Sequence, residues 1–260
     1  MGLVIAAVVV GPLGWRANAN LVKLADAFNA PSLSHPFGTD ENGRDMLSRF
    51  DEGARISLLA GLAVTALGAV IGGSIGLLAG MARGIVDSIL MRALDGILAF
   101  PPLILAMGVC IGFGQGINDA VIGIALTTVP YYARLLRSDV LRVRELPHIE
   151  AARALGARPH TIALRHILPF TLPTMLVQAA AVFGQAILLL AGLGFVGLGA
   201  QVPTPEWGSM ITDGLQYTLT GKWWIAVFPG IGLLVVVTSA NLFADWAQTA
   251  LDPRRVPVRG

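Results

Sequence analysis

The residue types that could carry chemistry are few in this chain, and their spacing does not assemble a reactive centre. His148, His160 and His166 lie twelve and six residues apart, so no two of them stack as i, i+4 ligands on one helix face, and they read as polar face residues. Cys110 is the single cysteine and sits in an apolar run as a small core residue; no intramolecular disulfide can form. Asp40, Glu41 and Asp45 lack the alternating oxygen ligands and terminal glutamate of a calcium loop. No G-x-x-x-x-G-K-[ST] loop occurs, since Thr220-Gly221-Lys222 lacks both the upstream glycine and the following hydroxyl. The chain is therefore expected not to be an enzyme, to hold no metal, and not to hydrolyse ATP by itself. Gly192-Leu-Gly194-Phe-Val-Gly197 spells G-x-G-x-x-G, but an apolar segment precedes it where a dinucleotide site needs a strand. A helix end accounts for it better. No Ser/His/Asp set can be singled out.

One charged island remains, from Glu150 to Pro169. Pro147 and Pro159 suit first helical positions and Gly156 suits a turn, which predicts two short helices, about 147–155 and 159–168, joined as an elbow. Ile149, Ala152 and Leu155 fall on one face of the first helix. Glu150, Arg153 and the small Ala151 and Ala154 lie elsewhere, so one face can meet the membrane and another a partner.

Glu-Ala-Ala, three residues, Gly156, then twelve residues to Pro169 in Ile-Leu-Pro resembles the cytoplasmic EAA loop of ABC importer permeases. His166 stands where many members carry an aliphatic residue, as is common in the peptide-importer branch. In that family the loop holds the helix that docks on the ATPase subunit. The resemblance implies that Glu150 makes polar contact with the ATPase, that Ala151 and Ala152 let the helix seat closely, and that Gly156 makes the turn. Arg153 and Arg158 would make rim contacts beside Ala157, and Pro169 would start the following span and fix its angle to the elbow.

The elements that must position this elbow are membrane helices. The chain has 260 residues, of which 55% are hydrophobic and only 13% charged, against roughly 25% charged in soluble domains. Expected spans, at about 20 residues each, are 56–82, 96–118, 119–137, 170–193 and 223–244. The opening residues 1–14 form a first span that is short for a bilayer, which predicts either a shallow crossing or a native start further upstream. Residues 15–55, with five basic and six acidic side chains, form an external loop. No charge occurs across the 27 residues between Arg55 and Arg83, and Gly61, Gly68, Gly72, Gly76 and Gly80 fall near one stripe of that span. Such a stripe predicts close backbone approach to another helix. Arg83, Asp87, Arg92 and Asp95 form a short polar break, and Pro101 and Pro102 kink or delay the next helix. Residues 138–169 form the coupling loop, and seven arginines between Arg134 and Arg165 place it on the cytoplasmic side. Arg254, Arg255 and Arg259 place the tail, 245–260, there too. Trp223 and Trp224 read as interface anchors.

His35 to Arg49, Leu193-Gly-Phe-Val-Gly-Leu-Gly followed by Pro203-Thr-Pro-Glu-Trp-Gly208, and Ala250-Leu-Asp-Pro-Arg254 are similar to the corresponding segments of dipeptide, oligopeptide and nickel permeases. The resemblance covers almost the whole chain. It implies an all-α, polytopic protein with six transmembrane helices, of the type I ABC importer permease fold, in the bacterial cytoplasmic membrane with both termini cytoplasmic. Implied partners are a second homologous permease, two cytoplasmic ABC ATPase subunits carrying ATP and magnesium, an extracytoplasmic solute-binding protein and the lipid bilayer. No nucleic acid partner is expected, no cofactor is expected in this chain, and the substrate-contacting residues stay open, with peptide, nickel and glutathione as cargo alternatives. An ion-coupled secondary transporter is the rival from another class, with a membrane scaffold as a third. The span centres lack the ionisable groups, and the chain lacks the inverted repeats, that an ion-coupled carrier uses.

Overall fold

The computed structural model of the protein describes residues 18–82 and 84–250. Among them the secondary structure is helical, with one isolated bridge pairing Thr39 and Asp45. The helices are α1 (Met46–Ala82), α2 (Gly84–Leu98), α3 (Pro102–Phe113), α4 (Ile117–Val143), α5 (Pro147–Ala154), α6 (Leu168–Phe195), α7 (Trp207–Thr218) and α8 (Trp224–Ala250). A helical turn Pro159–Thr161 and a π-helical stretch Ile162–Ile167 lead into α6, so 37 residues from Pro159 to Phe195 run as one rod.

Among the described residues, α1, the Pro159–Phe195 rod and α8 are long and apolar enough to cross a membrane, and the pair α2 and α3, bent by 90°, forms a fourth candidate. The expected first span, 1–14, and the end of the tail lie outside the described residues. Several expected boundaries move. α1 starts at Met46, ten residues before the expected 56, because Asp45 caps it: its carboxylate accepts from the Ser48 N–H and hydroxyl, both at 2.9 Å. The expected polar break after Arg83 is itself helix α2, and no single helix covers 96–118. The break falls at Ala99–Pro101 instead. Pro101 has no N–H to continue the ladder, and each of the two prolines disfavours α geometry in the residue before it, whereas Pro102 sits well as the first residue of α3. α4 runs on to Val143, so Arg142, expected in the coupling loop, is helical.

The chain divides into two compact units. The described part of the first comprises residues 18–64, 102–124 and 183–240. Its core joins Met46, Leu58, Phe183, Ile187, Trp207, Met210 and Ile225. The stretch before α1 is built into this core: Phe37 stacks on Phe228 at 4.0 Å and meets Phe50 edge-on at 5.4 Å. Trp224 is correspondingly no interface anchor. It is 5% exposed, and its indole N–H donates to the Thr39 carbonyl at 3.0 Å, while Trp223 stays 47% exposed. A buried indole settles where its one donor finds an acceptor.

The second unit comprises 65–101 and 125–182 with the last helical residues of α8. Here α1, α2 and α4 pack through Ile75, Met91, Leu94, Ile97, Val129 and Ala133. A second cluster of Leu136, Val140, Val143, Ile149, Ile162 and Ile167 lies under the elbow.

Candidate functional site

The elbow is anchored by one side chain and left open elsewhere. Leu146 is extended and Pro147 takes the first helical position of α5, which satisfies the missing N–H at no cost. Ile149 is fully buried in the cluster of α4 and π-stretch residues, whereas Glu150, Ala151 and Arg153 are exposed and Ala152 half-buried. Leu155, expected on the packed face with Ile149, is 89% exposed. It caps the helix, and beyond the last turn the 100° periodicity no longer governs where a side chain points. His148 is exposed and stacks on Phe170 at 5.1 Å.

The helix end explains Gly156. Its N–H donates to the Arg153 carbonyl and the Ala157 N–H donates to the Ala152 carbonyl, both at 3.0 Å, the paired bonds of a Schellman motif. That motif needs a left-handed residue between them, and Gly156 has φ +83°. A Cβ there would meet nothing within 4 Å, so the requirement is conformational and not steric. Ala157 then packs into the cluster below, and Arg158 begins the return arm. Gly156→Val is accordingly expected to open the turn at a cost of about 1–2 kcal/mol, read as faster tryptic cleavage at Arg153 in membranes, with Gly156→Asn close to wild type. Equal cleavage in all three proteins would contradict this account.

Pro169 does not start a separate helix. It is the second residue of α6 and is preceded by the π-helical stretch, whose Leu168 N–H donates to the Ala163 carbonyl five residues back. Pro169 cannot donate, and its ring crowds the carbonyl of residue 165; a widened turn just before it relieves both effects without breaking the rod.

Support for the elbow comes from α4 and α1. Within the second unit, a Cβ on Gly68 would lie 2.1 Å from Thr128 Oγ1, one on Gly72 2.4 Å from the Val129 carbonyl oxygen, one on Gly76 2.4 Å from the Ala133 carbonyl oxygen, and one on Gly80 2.6 Å from Val140 Cγ1. The glycines advance four residues at a time, as a helix ridge does, and meet α4 at Thr128, Val129, Ala133 and Val140 in turn. Gly61 belongs to the first unit and faces another helix, at Phe183 and Ile187 of α6. Arg144 donates to the Gly80 carbonyl. Two acids that the sequence places only near span ends tie α2 to α4: Asp87 receives a bidentate pair from Arg137 at 2.5 and 2.7 Å, and Asp95 pairs with Arg134. Nothing in the spacing of Asp87 and Arg137, fifty residues apart, signals that contact.

The Pro203–Gly208 motif of the first unit also acquires a structural role. Glu206, 1% exposed, caps α7, a helix outside the expected spans: its carboxylate accepts from the Gly208 and Ser209 N–H groups at 2.8 and 3.0 Å and from the Ser57 hydroxyl at 3.3 Å. Burial holds its carboxyl above the ordinary glutamate range, opposed by those three donors. The Trp207 indole donates to the Phe50 carbonyl at 3.1 Å, and a Cβ on Gly208 would lie 2.4 Å from the Ala191 carbonyl oxygen. In the G-x-G-x-x-G segment, Gly194 makes room for Glu206, and Gly197 (φ +83°) ends α6 with a second Schellman turn. The order of helix-end signals, Glu206 followed by amphipathic Trp207–Thr218, could have disclosed α7 in the sequence.

A helical chain with an exposed, charged elbow between long apolar helices has the form of a transporter's membrane component. Residues 72–257 match the family described as binding-protein-dependent transport system inner membrane component, and the chain belongs to that family as a permease component of an ABC importer. It is 41% identical to a probable D,D-dipeptide transport system permease protein of Escherichia coli K12, over 92% of this chain and 81% of that protein. It is 40% identical to a dipeptide transport system permease protein of Alkalihalophilus pseudofirmus (88% and 75% covered) and 42% identical to a glutathione transport system permease protein of Escherichia coli O6 (87% and 74%). In fold it is similar to an inward-facing MetNI methionine ABC transporter chain, with TM-score 0.63 and 22% identity over 79% of this chain and 97% of that one.

Proposed function

We propose that the chain lines one half of the translocation path of an importer for short peptides and receives the driving motion at the Glu150 elbow. The carrying observation is α5 itself: Ile149 is buried, while Glu150, Ala151, Arg153 and Leu155 project from the chain with an apolar knob beside charged groups. That composition suits a groove on another protein. On this reading the coupling residues are Glu150, Ala151, Ala152, Arg153, Gly156, Ala157, Arg158 and Pro169. The partners are a second permease, two cytoplasmic ATPases that carry ATP and magnesium, and an extracytoplasmic solute-binding protein. Six spans and cytoplasmic termini complete the topology. On this reading motion of the elbow passes into the bilayer along the continuous helical stretch from Pro159 to Phe195, a route for switching two packed arrangements. Peptide cargo is inferred from the relatives' names, and glutathione, which is itself a small peptide, falls within that class.

Glu150→Lys combined with Gly156→Asp is expected to leave membrane insertion intact and to reduce ATP-driven uptake in right-side-out vesicles to background, with ATPase activity no longer stimulated by the binding protein. Normal uptake by that variant would sink the coupling assignment. Uptake in the wild type that survives ATP depletion and collapses with the ion gradient would favour a secondary transporter.

A further inference from the structure

A cavity of about 260 Å³ opens in the first unit between the chain before α1, the end of α6 and helix α7. Glu41, Arg44, Arg49, Gln201, Asp213 and Gln216 are among the side chains on its wall, and an adjoining recess is lined by Asp40 together with Glu41, Arg44, Arg49 and Asp213. Both guanidinium groups are already committed. Arg44 meets Asp40 at 2.6 Å and Glu41 at 3.0 Å, and Arg49 meets Asp40 at 3.5 Å. Asp213 enters none of these pairs at contact distance, although Arg49 and Arg44 lie close enough to hold its carboxyl down against burial. Glu41 keeps one carboxylate oxygen, Oε2, buried and without a partner. Three carboxylates therefore face two guanidinium groups, and the charge left over is the one at Asp213.

A half-buried carboxylate without a partner raises the free energy of the folded state until a cation or proton joins it. Burial accordingly pushes both the Asp213 and the Glu41 carboxyl above their ordinary ranges. The cavity volume lies just under the roughly 300–1,000 Å³ of pockets that enclose drug-sized ligands, so it takes the end of a molecule and not the whole of one. Gln201 and Gln216 supply neutral amide groups around that end.

We infer that this cavity is a binding site for a primary ammonium group, seated against Asp213 beside Glu41. A charge-assisted N–H···O bond to Asp213 would supply the missing partner. Two sources offer that group: the amino terminus of a free short peptide, or a lysine side chain of the solute-binding protein. The naming of these sources rests on the importer reading above; the cavity and its unpaired carboxylate do not.

The test uses the full chain co-expressed with its partner subunits, in lipid nanodiscs. Dialanine and N-acetyl-dialanine are titrated by calorimetry in the absence of binding protein, and binding-protein affinity is measured separately. A free-peptide source predicts that dialanine binds, that the acetylated form binds at least tenfold more weakly, and that Asp213→Asn weakens dialanine at least tenfold while Asp213→Glu retains it. A protein source predicts no dialanine binding but a tenfold loss of binding-protein affinity in Asp213→Asn, again retained in Asp213→Glu. Asp213 makes no hydrogen bond to the fold and its charge is partly desolvated, so Asp213→Asn should melt at or above the wild type and Asp213→Glu close to it. Unchanged dialanine binding and unchanged binding-protein affinity in Asp213→Asn, with ATPase stimulation intact, would overturn the site and leave the importer reading standing. Failure of the ATPases to copurify would instead sink the importer reading, and the dialanine titration would then decide the site alone.

Discussion

Gly76→Val is expected to melt roughly 6–12 °C below the wild type in detergent, from a loss of about 3 kcal/mol at 2–4 °C per kcal/mol. The reason is what the added carbon would meet. A Cβ on Gly76 lies 2.4 Å from the Ala133 carbonyl oxygen and 3.0 Å from its carbonyl carbon and Cα, all backbone atoms of α4. Backbone inside a helix cannot rotate away, so the two helices must separate along the whole seam, and the close contacts at Gly72 and Gly80 go with it. Gly72, facing the Val129 carbonyl oxygen at 2.4 Å, should behave alike. Gly68 should be milder, because the Thr128 hydroxyl at 2.1 Å belongs to a side chain that can turn. Gly96→Ala is the control: nothing lies within 4 Å of its Cβ, and an alanine in α2 should hold or gain by about 0.5–1 kcal/mol. If Gly76→Val and Gly96→Ala melted alike, the seam would not be a close contact.

Glu206→Ala is expected to lose about 3 kcal/mol and to release α7. Three donors converge on that carboxylate, two of them the first free N–H groups of the helix. Losing a cap costs about 0.5–2 kcal/mol, and each buried donor left without a partner adds about 1–3 kcal/mol less whatever water recovers. Glu206→Gln keeps one oxygen and should fall between wild type and alanine. Hydrogen exchange of the Gly208 and Ser209 amides gives the readout, since these N–H groups lose their acceptors. Exchange that stayed as slow in Glu206→Ala as in the wild type would contradict the capping role. Loss of α7 should also loosen Trp207, whose indole reaches the Phe50 carbonyl.

Short-range signals explain which parts were legible beforehand. Pro147, Gly156 and the small residues of Glu-Ala-Ala each act on their own backbone within a few residues, so the elbow's first helix and its turn could be read with nearly the observed bounds, Pro147–Ala154. The break at Pro101 and Pro102 was visible for the same reason, but its consequence was not. Whether two prolines tilt a helix or divide it at 90° depends on what the flanking turns pack against. Helix α2 was hidden by its charges. Asp87, Arg92 and Asp95 resemble a polar break until Arg137 and Arg134 are found opposite the two acids. The packing of the stretch before α1 was not legible because polarity averages over residues; its Thr39 and Asp40, both nearly or fully buried, are satisfied by partners far along the chain or across a turn.

The sequence by itself determined that this is an apolar, helical, membrane-embedded chain with one charged elbow, and that no phosphate loop or cysteine–histidine cluster lies in it. Composition, proline and glycine placement, and arginine distribution act locally or additively, and need no knowledge of which helix neighbours which. Only the tertiary structure decided that Gly68, Gly72, Gly76 and Gly80 meet α4 whereas Gly61 meets α6, that Leu155 is exposed while Ile149 is buried, and that Asp213 faces a cavity whose arginines are already paired. Those outcomes depend on contacts between residues tens to more than a hundred positions apart. Charge balance and close packing are properties of such neighbourhoods, and the order of residues along one chain does not display them.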